Sequence, residues 1–111
     1  FDIDPSKIEA IAEGKSYFTH IENQRLKNCC AENLFTATCD FSRIAACDVI
    51  IICVPTPLNR YLEPDLKYIV GTCENIAPHL APHTLISLES TTWPGTTEEV
   101  MRPILEAKSS L

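Results

Sequence analysis

The longest apolar run of the chain covers residues 49–54 and reads VIIICV. It is rich in β-branched residues and does not alternate with polar ones. This pattern predicts a strand that is covered on both faces, as in a parallel sheet. Pro55 and Pro57 follow directly and end the strand, because proline cannot donate to a sheet ladder. Residues 84–90 predict a second strand, and residues 34–38 predict a third.

Apolar residues at three- and four-residue steps predict an amphipathic helix that begins at Asp65 and ends before Pro82. Those apolar residues are Leu66, Ile69, Val70, Cys73, Ile76, Ala77 and Leu80. The sequence TTEE, from Thr96 to Glu99, reads as a capping box at the start of a further helix. Within that helix Pro103 removes one hydrogen bond, so we expect a bend there.

A short helix is predicted at residues 5–13, with Asp4 as N-cap, Pro5 at the first helical position and Gly14 just past the end. A polar stretch, for which no element is predicted, follows to Asn33. The alternation of strands and helices predicts an α/β fold, a Rossmann-like parallel sheet with helices on both faces. The length of 111 residues suits one domain.

The charge and composition of the chain exclude several classes of function. The formal net charge is -6, and nucleic acids and anionic membranes both bind clustered Lys and Arg, so neither is expected as a partner. The longest apolar run is far too short for a membrane span, which needs about 20 residues. The opening residues FDID have neither the basic region nor the long apolar region of a secretory signal. We expect a cytoplasmic protein, although the missing signal does not by itself show this.

The chain has six cysteines, a number that is compatible with disulfides. Cys53 ends the apolar run and Cys73 lies on the apolar stripe of a helix, so both are predicted to be small core residues. We expect reduced, structural cysteines, with a disulfide scaffold as the alternative. A zinc site fits less well, because the spacing of its four candidate ligands matches no common zinc module. These candidates are His20, Cys29, Cys30 and Cys39.

In an open parallel sheet, ligands bind beyond the carboxyl ends of the strands. The segment of residues 1–4 offers an acidic group at such an end. An acidic residue there bonds the adenosine ribose hydroxyls of NAD and disfavours NADP, and Asp2 fits this role. Asp4 is better suited to capping the helix. The alternative is that both aspartates are only turn and cap residues.

Two further segments follow predicted strands. Residues 54–57, sequence VPTP, form a stiff bend that can present carbonyls and a hydroxyl to a nucleotide, or they simply stop the strand. Residues 89–97 cluster hydroxyls ahead of a helix N-terminus, which favours anions. There the alternative is helix capping by Thr96 alone. The sequence contains no G-x-G-x-x-G, so the usual pyrophosphate cradle is missing. No Ser-His-Asp set, H-E-x-x-H motif or metal site is predicted.

Taken together, these segments resemble the UDP-glucose/GDP-mannose dehydrogenase family over residues 1–111. The resemblance rests on FDID with Lys7, on Asp48 to Pro57, and above all on residues 88–99, sequence LESTTWPGTTEE. This last segment is similar to the UDP-N-acetylglucosamine 6-dehydrogenase branch. The resemblance implies two-step oxidation of the C6 alcohol of a UDP-sugar to a carboxylate, with two hydrides passed to NAD, for surface polysaccharide precursors.

The resemblance also implies roles for individual residues. Asp2 would hold the adenosine ribose, with Lys7 nearby, and Thr91 would approach the nicotinamide end of NAD. Thr92 would do the same and would also help to hold a catalytic water, a role suited to a hydroxyl that both donates and accepts. The adenosine side of the cofactor would be lined by Val54, Pro55, Thr56 and Pro57. A UDP-sugar substrate and a homo-oligomer are expected.

The family pattern is incomplete in this sequence. The first strand and glycine-rich turn would precede Phe1, and the nucleophilic Cys would follow Leu111, so we expect an NAD-binding portion that is inactive alone and binds NAD weakly. The missing first strand would leave a gap in the sheet, which we expect to be closed by strand rearrangement or by a second copy. The alternatives are a non-catalytic nucleotide-binding module derived from such a domain, or another NAD-dependent dehydrogenase such as a 3-hydroxyacid type.

Overall fold

A computed structural model describes residues 1–109. The chain divides into two compact units, Phe1–Phe41 and Ser42–Leu111. Residues 110 and 111, at the end of the predicted domain, lie outside the described residues. That the whole chain forms a single domain stays a prediction.

The first unit contains two helices, α1 (Pro5–Ala12) and α2 (Asn23–Ala31). Helix α1 begins as predicted, because the Asp4 carboxylate accepts a hydrogen bond from the Ser6 N–H at 2.9 Å. It ends in a Schellman motif, in which the N–H groups of Gly14 and Lys15 donate to the carbonyls of Ile11 and Ala10. Gly14 takes the left-handed conformation that this motif requires, with φ of 69°.

The sequence pattern missed α2, which has no buried residue and therefore no apolar periodicity to detect. Four of its nine residues, in the run from Gln24 to Lys27, are straight-chain helix formers. Gln24 also donates to Asn28 one turn later at 2.9 Å. The predicted strand at residues 34–38 was wrong, since this segment is irregular. The Asp2 N–H donates to the Thr38 carbonyl at 3.2 Å, but one such bond does not make a ladder.

The second unit contains β1 (Val49–Ile52), α3 (Lys67–Ile76), β2 (Leu85–Leu88) and α4 (Arg102–Lys108). The strands pair in parallel, with Val49 opposite Leu85 and Ile52 opposite Leu88. Short 3₁₀ helices lie at Phe41–Ala46 and Ala77–His79. A parallel pair joined through a helix confirms the predicted α/β class.

Strand β1 is covered on one face only, so the prediction of a strand buried on both faces was wrong. Ile50 and Ile52 are buried, whereas Val49 and Ile51 are 52% and 62% exposed. The buried face belongs to a core that includes helix α3. The buried apolar residues are Ile44, Ile50, Ile52, Ile69, Cys73, Ile76, Ala77 and Met101.

The cysteine predictions had different outcomes. All six thiols are free. Cys73 is fully buried in the core, as predicted, but Cys53 is exposed. Strand β1 already ends at Ile52, so Cys53 lies just beyond the pairing and outside the packed face.

The helix after β2 begins differently from the prediction, and the capping box was wrong. Thr96 has helical backbone angles and makes no side-chain cap bond, because the chain is already helical there. A π-helical turn, Thr97–Met101, precedes α4. Pro103 is the second residue of α4 and has no N–H to donate. The missing hydrogen bond explains why the regular α-helix is interrupted by a π-helical turn next to this proline.

Strand rearrangement is not observed in the part of the chain that the structure describes. The pairings there are β1–β2 and one isolated antiparallel bridge between Leu58 and Pro64. Residues 1–4, predicted to follow a strand, form no strand themselves. Closure of a sheet gap by a second copy stays a prediction.

Candidate functional site

The carboxyl ends of β1 and β2 are held together beyond the sheet ladder. The Ser90 hydroxyl accepts a hydrogen bond from the Val54 N–H and donates one to the Val54 carbonyl, both at 2.9 Å. The Glu89 N–H donates to the Ile52 carbonyl at 2.9 Å. A single side chain thereby satisfies both backbone groups of Val54, just where the strands stop pairing.

The predicted bend at residues 54–57 begins at this edge. Val54 and Thr56 are half-buried, whereas Pro55 and Pro57 are exposed. The Pro57 carbonyl accepts a hydrogen bond from the Asp65 N–H at 2.7 Å, which ties the bend to the start of the helical segment. Two fixed proline φ angles and these backbone bonds make the bend stiff.

The hydroxyl cluster after β2 divides into an exposed and a buried part. Thr91 is exposed and Thr92 is half-buried, while Thr96 is only 1% exposed. The Thr96 hydroxyl donates to the Trp93 carbonyl at 2.9 Å and lies 2.8 Å from the Thr92 hydroxyl. Thr92 is thus the cluster member that is both fixed by a buried partner and reachable from solvent.

The other predicted site residues lie in the unit Phe1–Phe41. Asp2 accepts from the Lys7 ammonium at 2.9 Å through one carboxylate oxygen and from the Asp4 N–H at 2.9 Å through the other. Burial alone would raise the pKa of Asp2, but these two hydrogen bonds and the Lys7 charge hold it below its ordinary value. The hydrogen bond from Lys7 to Asp2 raises the pKa of Lys7. Asp2 is therefore an anion at neutral pH.

Asp4 has the role that the pattern assigned to it. Its carboxylate accepts from both the N–H and the hydroxyl of Ser6, which lowers the pKa of Asp4. Of the two acidic residues, Asp4 is engaged with its own helix, whereas the side chain of Asp2 remains 28% exposed.

The structure brings two of the three predicted segments to one place. Residues 54–57 and residues 91–92 both follow neighbouring parallel strands, so they lie at the same edge of the sheet. Asp2 and Lys7 form a pair of their own in the other unit. Two residues that shape the sheet edge were not predicted as site residues: Ser90 was given no role of its own, and Thr96 was predicted only as a helix cap. The hydroxyl residues that follow the strand in the sequence indicate such a role only weakly.

Two other kinds of function have no structural support within residues 1–109. In that range no group of three or more His, Cys, Asp or Glu residues could hold a metal ion. None of the helices in the same range is long and apolar enough to cross a membrane.

Comparison with known proteins identifies the relatives of this chain. The profile of the UDP-glucose/GDP-mannose dehydrogenase family, NAD binding domain, matches residues 1–111. The chain belongs to this family. It is 34% identical over 111 residues to the protein CapL of Staphylococcus aureus, and 33% identical over 111 residues to the UDP-N-acetyl-D-glucosamine 6-dehydrogenase of Pseudomonas aeruginosa. Both alignments cover 100% of the chain, but only 25% and 26% of these relatives.

The fold of the chain is also similar to that of solved nucleotide-sugar dehydrogenases. A crystal structure of a GDP-mannose dehydrogenase ternary complex from Pseudomonas aeruginosa matches 99% of this chain and 26% of that chain, with a TM-score of 0.89 and 29% sequence identity. The chain is therefore part of a Rossmann-like NAD-binding domain, as predicted. NAD is the cofactor of that domain.

Proposed function

We propose that this chain is the cofactor-binding portion of an NAD-dependent UDP-sugar 6-dehydrogenase. The substrate would be of the UDP-N-acetylhexosamine or UDP-glucose type, oxidised at C6 from alcohol to carboxylate for surface polysaccharide precursors. The observation that carries the proposal is the match of all 111 residues to the NAD-binding domain of a family of nucleotide-sugar dehydrogenases. Bound NAD would supply the hydride acceptor, and the chain would hold the dinucleotide without turning over substrate alone.

The chemistry of Asp2 fits the adenosine ribose. Its carboxylate is ionised and partly exposed, and its two oxygens keep lone pairs beyond those used by Lys7 and Asp4. Ribose hydroxyls can donate to these lone pairs. A 2′-phosphate, as in NADP, would instead meet a negative charge, so Asp2 would favour NAD.

The sheet edge formed by the ends of β1 and β2 would also supply groups for NAD. Val54, Pro55, Thr56 and Pro57 would line the adenosine side, because the bend they form is stiff and partly exposed. Thr91 and Thr92 would approach the nicotinamide end. Thr92 would also hold the water needed for the second oxidation step, since its hydroxyl is fixed on one side and reachable on the other.

The test is an NMR titration of the isotopically labelled chain with NAD, which detects even weak complexes. We expect the amide signals of Asp2, Lys7, Val54, Thr56, Thr91 and Thr92 to shift, and NADP to bind about fivefold more weakly because of charge repulsion. Asp2→Asn keeps an oxygen for the Asp4 N–H and should remove this preference. Glu13→Gln, at an exposed acid paired with Lys15, is the matched control.

Two results would count against the proposal. The first is that NAD leaves all six amide signals in place at concentrations where a weak complex would form. The second is that NAD and NADP bind equally to the unaltered chain, since Asp2 would then not contact the ribose.

The remaining parts of the proposal concern the complete protein. We propose a cytoplasmic enzyme that forms a homo-oligomer, as the membership of this chain in the UDP-glucose/GDP-mannose dehydrogenase family suggests. Light scattering after size-exclusion chromatography measures the assembly, and a monomer at all concentrations would contradict it. A screen of UDP- and GDP-sugars with NAD then identifies the substrate.

A further inference from the structure

The Thr96 hydroxyl is the buried centre of a short hydrogen-bond chain. The residue is 1% exposed, so its hydroxyl needs hydrogen-bond partners within the protein. Its oxygen lies 2.9 Å from the Trp93 carbonyl oxygen and 2.8 Å from the Thr92 hydroxyl oxygen. Both distances are those of O–H···O hydrogen bonds.

The number of protons fixes the direction of these bonds. A threonine hydroxyl has one proton to donate, and a carbonyl oxygen can only accept. The contact with the Trp93 carbonyl therefore takes the proton of Thr96. The proton between the two hydroxyls must then come from Thr92. With the opposite arrangement, the oxygens of the Thr96 hydroxyl and the Trp93 carbonyl would face each other at 2.9 Å without a proton between them, in a partly buried place, which is unfavourable.

This direction leaves Thr92 with lone pairs only on its outer side. The Thr92 hydroxyl has spent its single proton on Thr96, so toward solvent or a ligand it can accept but not donate. Thr92 is half-buried, so part of the residue is open to solvent or to a ligand. A hydroxyl can usually bind a donor or an acceptor, but the Thr92 hydroxyl can here bind only a donor.

We infer that Thr96 is a positioning residue that makes Thr92 a hydrogen-bond acceptor, so that the site selects a carboxamide over a carboxylate at the nicotinamide position. The inference rests on the proposed function, in which Thr92 approaches that end of NAD. The nicotinamide carboxamide carries N–H donors that Thr92 can accept. A carboxylate at the same position has no proton to offer, and its oxygens would face the lone pairs of Thr92.

The experiment compares NAD with nicotinic acid adenine dinucleotide, which differs from NAD in having a carboxylate in place of the carboxamide. Both are titrated into the full 111-residue chain, and the Thr92 amide signal reports binding. Thr96→Val keeps the shape of the side chain but removes the hydroxyl, and Thr96→Ser restores it. Thr97→Val, an exposed threonine next to Thr96, is the matched control.

We expect the unaltered chain, Thr96→Ser and Thr97→Val to prefer NAD by about fivefold, the effect of one neutral hydrogen bond. Thr96→Val should bind the two dinucleotides about equally, because the Thr92 hydroxyl can then rotate and donate to the carboxylate. A general loss of structure would lower both affinities without changing their ratio. Thr92→Val keeps the hydrogen bond from Thr96 to Trp93 and should also lose the preference for NAD. This variant therefore tests the inference if Thr96→Val does not fold.

Equal binding of the two dinucleotides to the unaltered chain would overturn the inference, and so would a full preference for NAD in both Thr96→Val and Thr92→Val. These results differ from failure of the proposed function, in which neither dinucleotide shifts the signals of Asp2 or Thr92. In that case the inference about ligand selection fails as well.

Discussion

Single residues of the same type behave differently in this protein because of where the chain places them. Cys53 ends the apolar run 49–54 and Cys73 lies on the apolar stripe of a helix, and both were predicted to lie in the core. Cys73 is fully buried on the inner face of α3, and this burial raises the pKa of its thiol from 9.0 to about 11. Cys53 lies one residue past the end of β1 and is exposed. A shift of one position along a strand end is enough to change the environment of a side chain completely.

Stability at alkaline pH should depend on Cys73. Between pH 9 and 11 the unfolded chain loses the thiol proton while the folded chain retains it, so stability falls as pH rises through this window. Between about pH 8 and pH 10.5 the loss due to this thiol should be about 2 kcal/mol. Urea unfolding at both pH values measures it.

The variant Cys73→Val should remove that part of the alkaline loss, because it has no proton to release. Cys53→Ser, at an exposed position, is the control and should keep the loss seen in the unaltered chain. An alkaline loss that is the same in Cys73→Val and in the unaltered chain would show that the Cys73 thiol is not responsible.

At the scale of elements, the ends of helices and strands decide which predictions hold. The start and end of α1 were predicted correctly, because proline, aspartate and glycine have local backbone preferences that need no tertiary partner. Helix α2 was not predicted, because it lacks apolar periodicity. Segment 34–38 was wrongly predicted to be a strand, because it has no partner strand to form a ladder with. The capping box at Thr96 failed because Thr96 itself already has helical backbone angles, whereas an N-cap residue has non-helical ones.

Two glycines provide a test at this scale. Gly14 has φ of 69°, and a Cβ there would approach the Lys27 Cγ to 2.5 Å, so Gly14→Ala should destabilise the chain by about 1 to 2 kcal/mol. Gly71 lies inside α3 with open space around it, so Gly71→Ala should stabilise by about 0.5 to 1 kcal/mol. Chemical denaturation of both variants measures the difference. Equal effects of the two substitutions would contradict the Schellman end of α1.

At the scale of the whole molecule, the two units differ in how much they bury. Every buried apolar residue, from Ile44 to Met101, belongs to the unit Ser42–Leu111. Helices α1 and α2 contain no buried residue. The hydrophobic contribution to stability is therefore concentrated in one unit, since it scales with the apolar area removed from water.

Hydrogen exchange should reveal this difference. We expect the backbone amides of α1 and α2 to exchange through local opening, well before those of β1, β2 and α3, because few apolar contacts oppose their opening. Mass spectrometry of peptides from the exchanging chain resolves the two groups. Equal protection of α1 and α3 would mean that the chain opens as one cooperative unit.

The sequence alone determined the features that depend on neighbours along the chain. These are the parallel strand pattern, the capped helix α1, the amphipathic helix α3 and the family to which the chain belongs. Their signals are backbone preferences and periodicities, which are properties of short segments. The tertiary structure alone decided that β1 is covered on one face, that Ser90 bridges to Val54, and that Thr96 is buried. These features depend on atoms that are distant in sequence or on which side of an element is covered, and no local pattern specifies either.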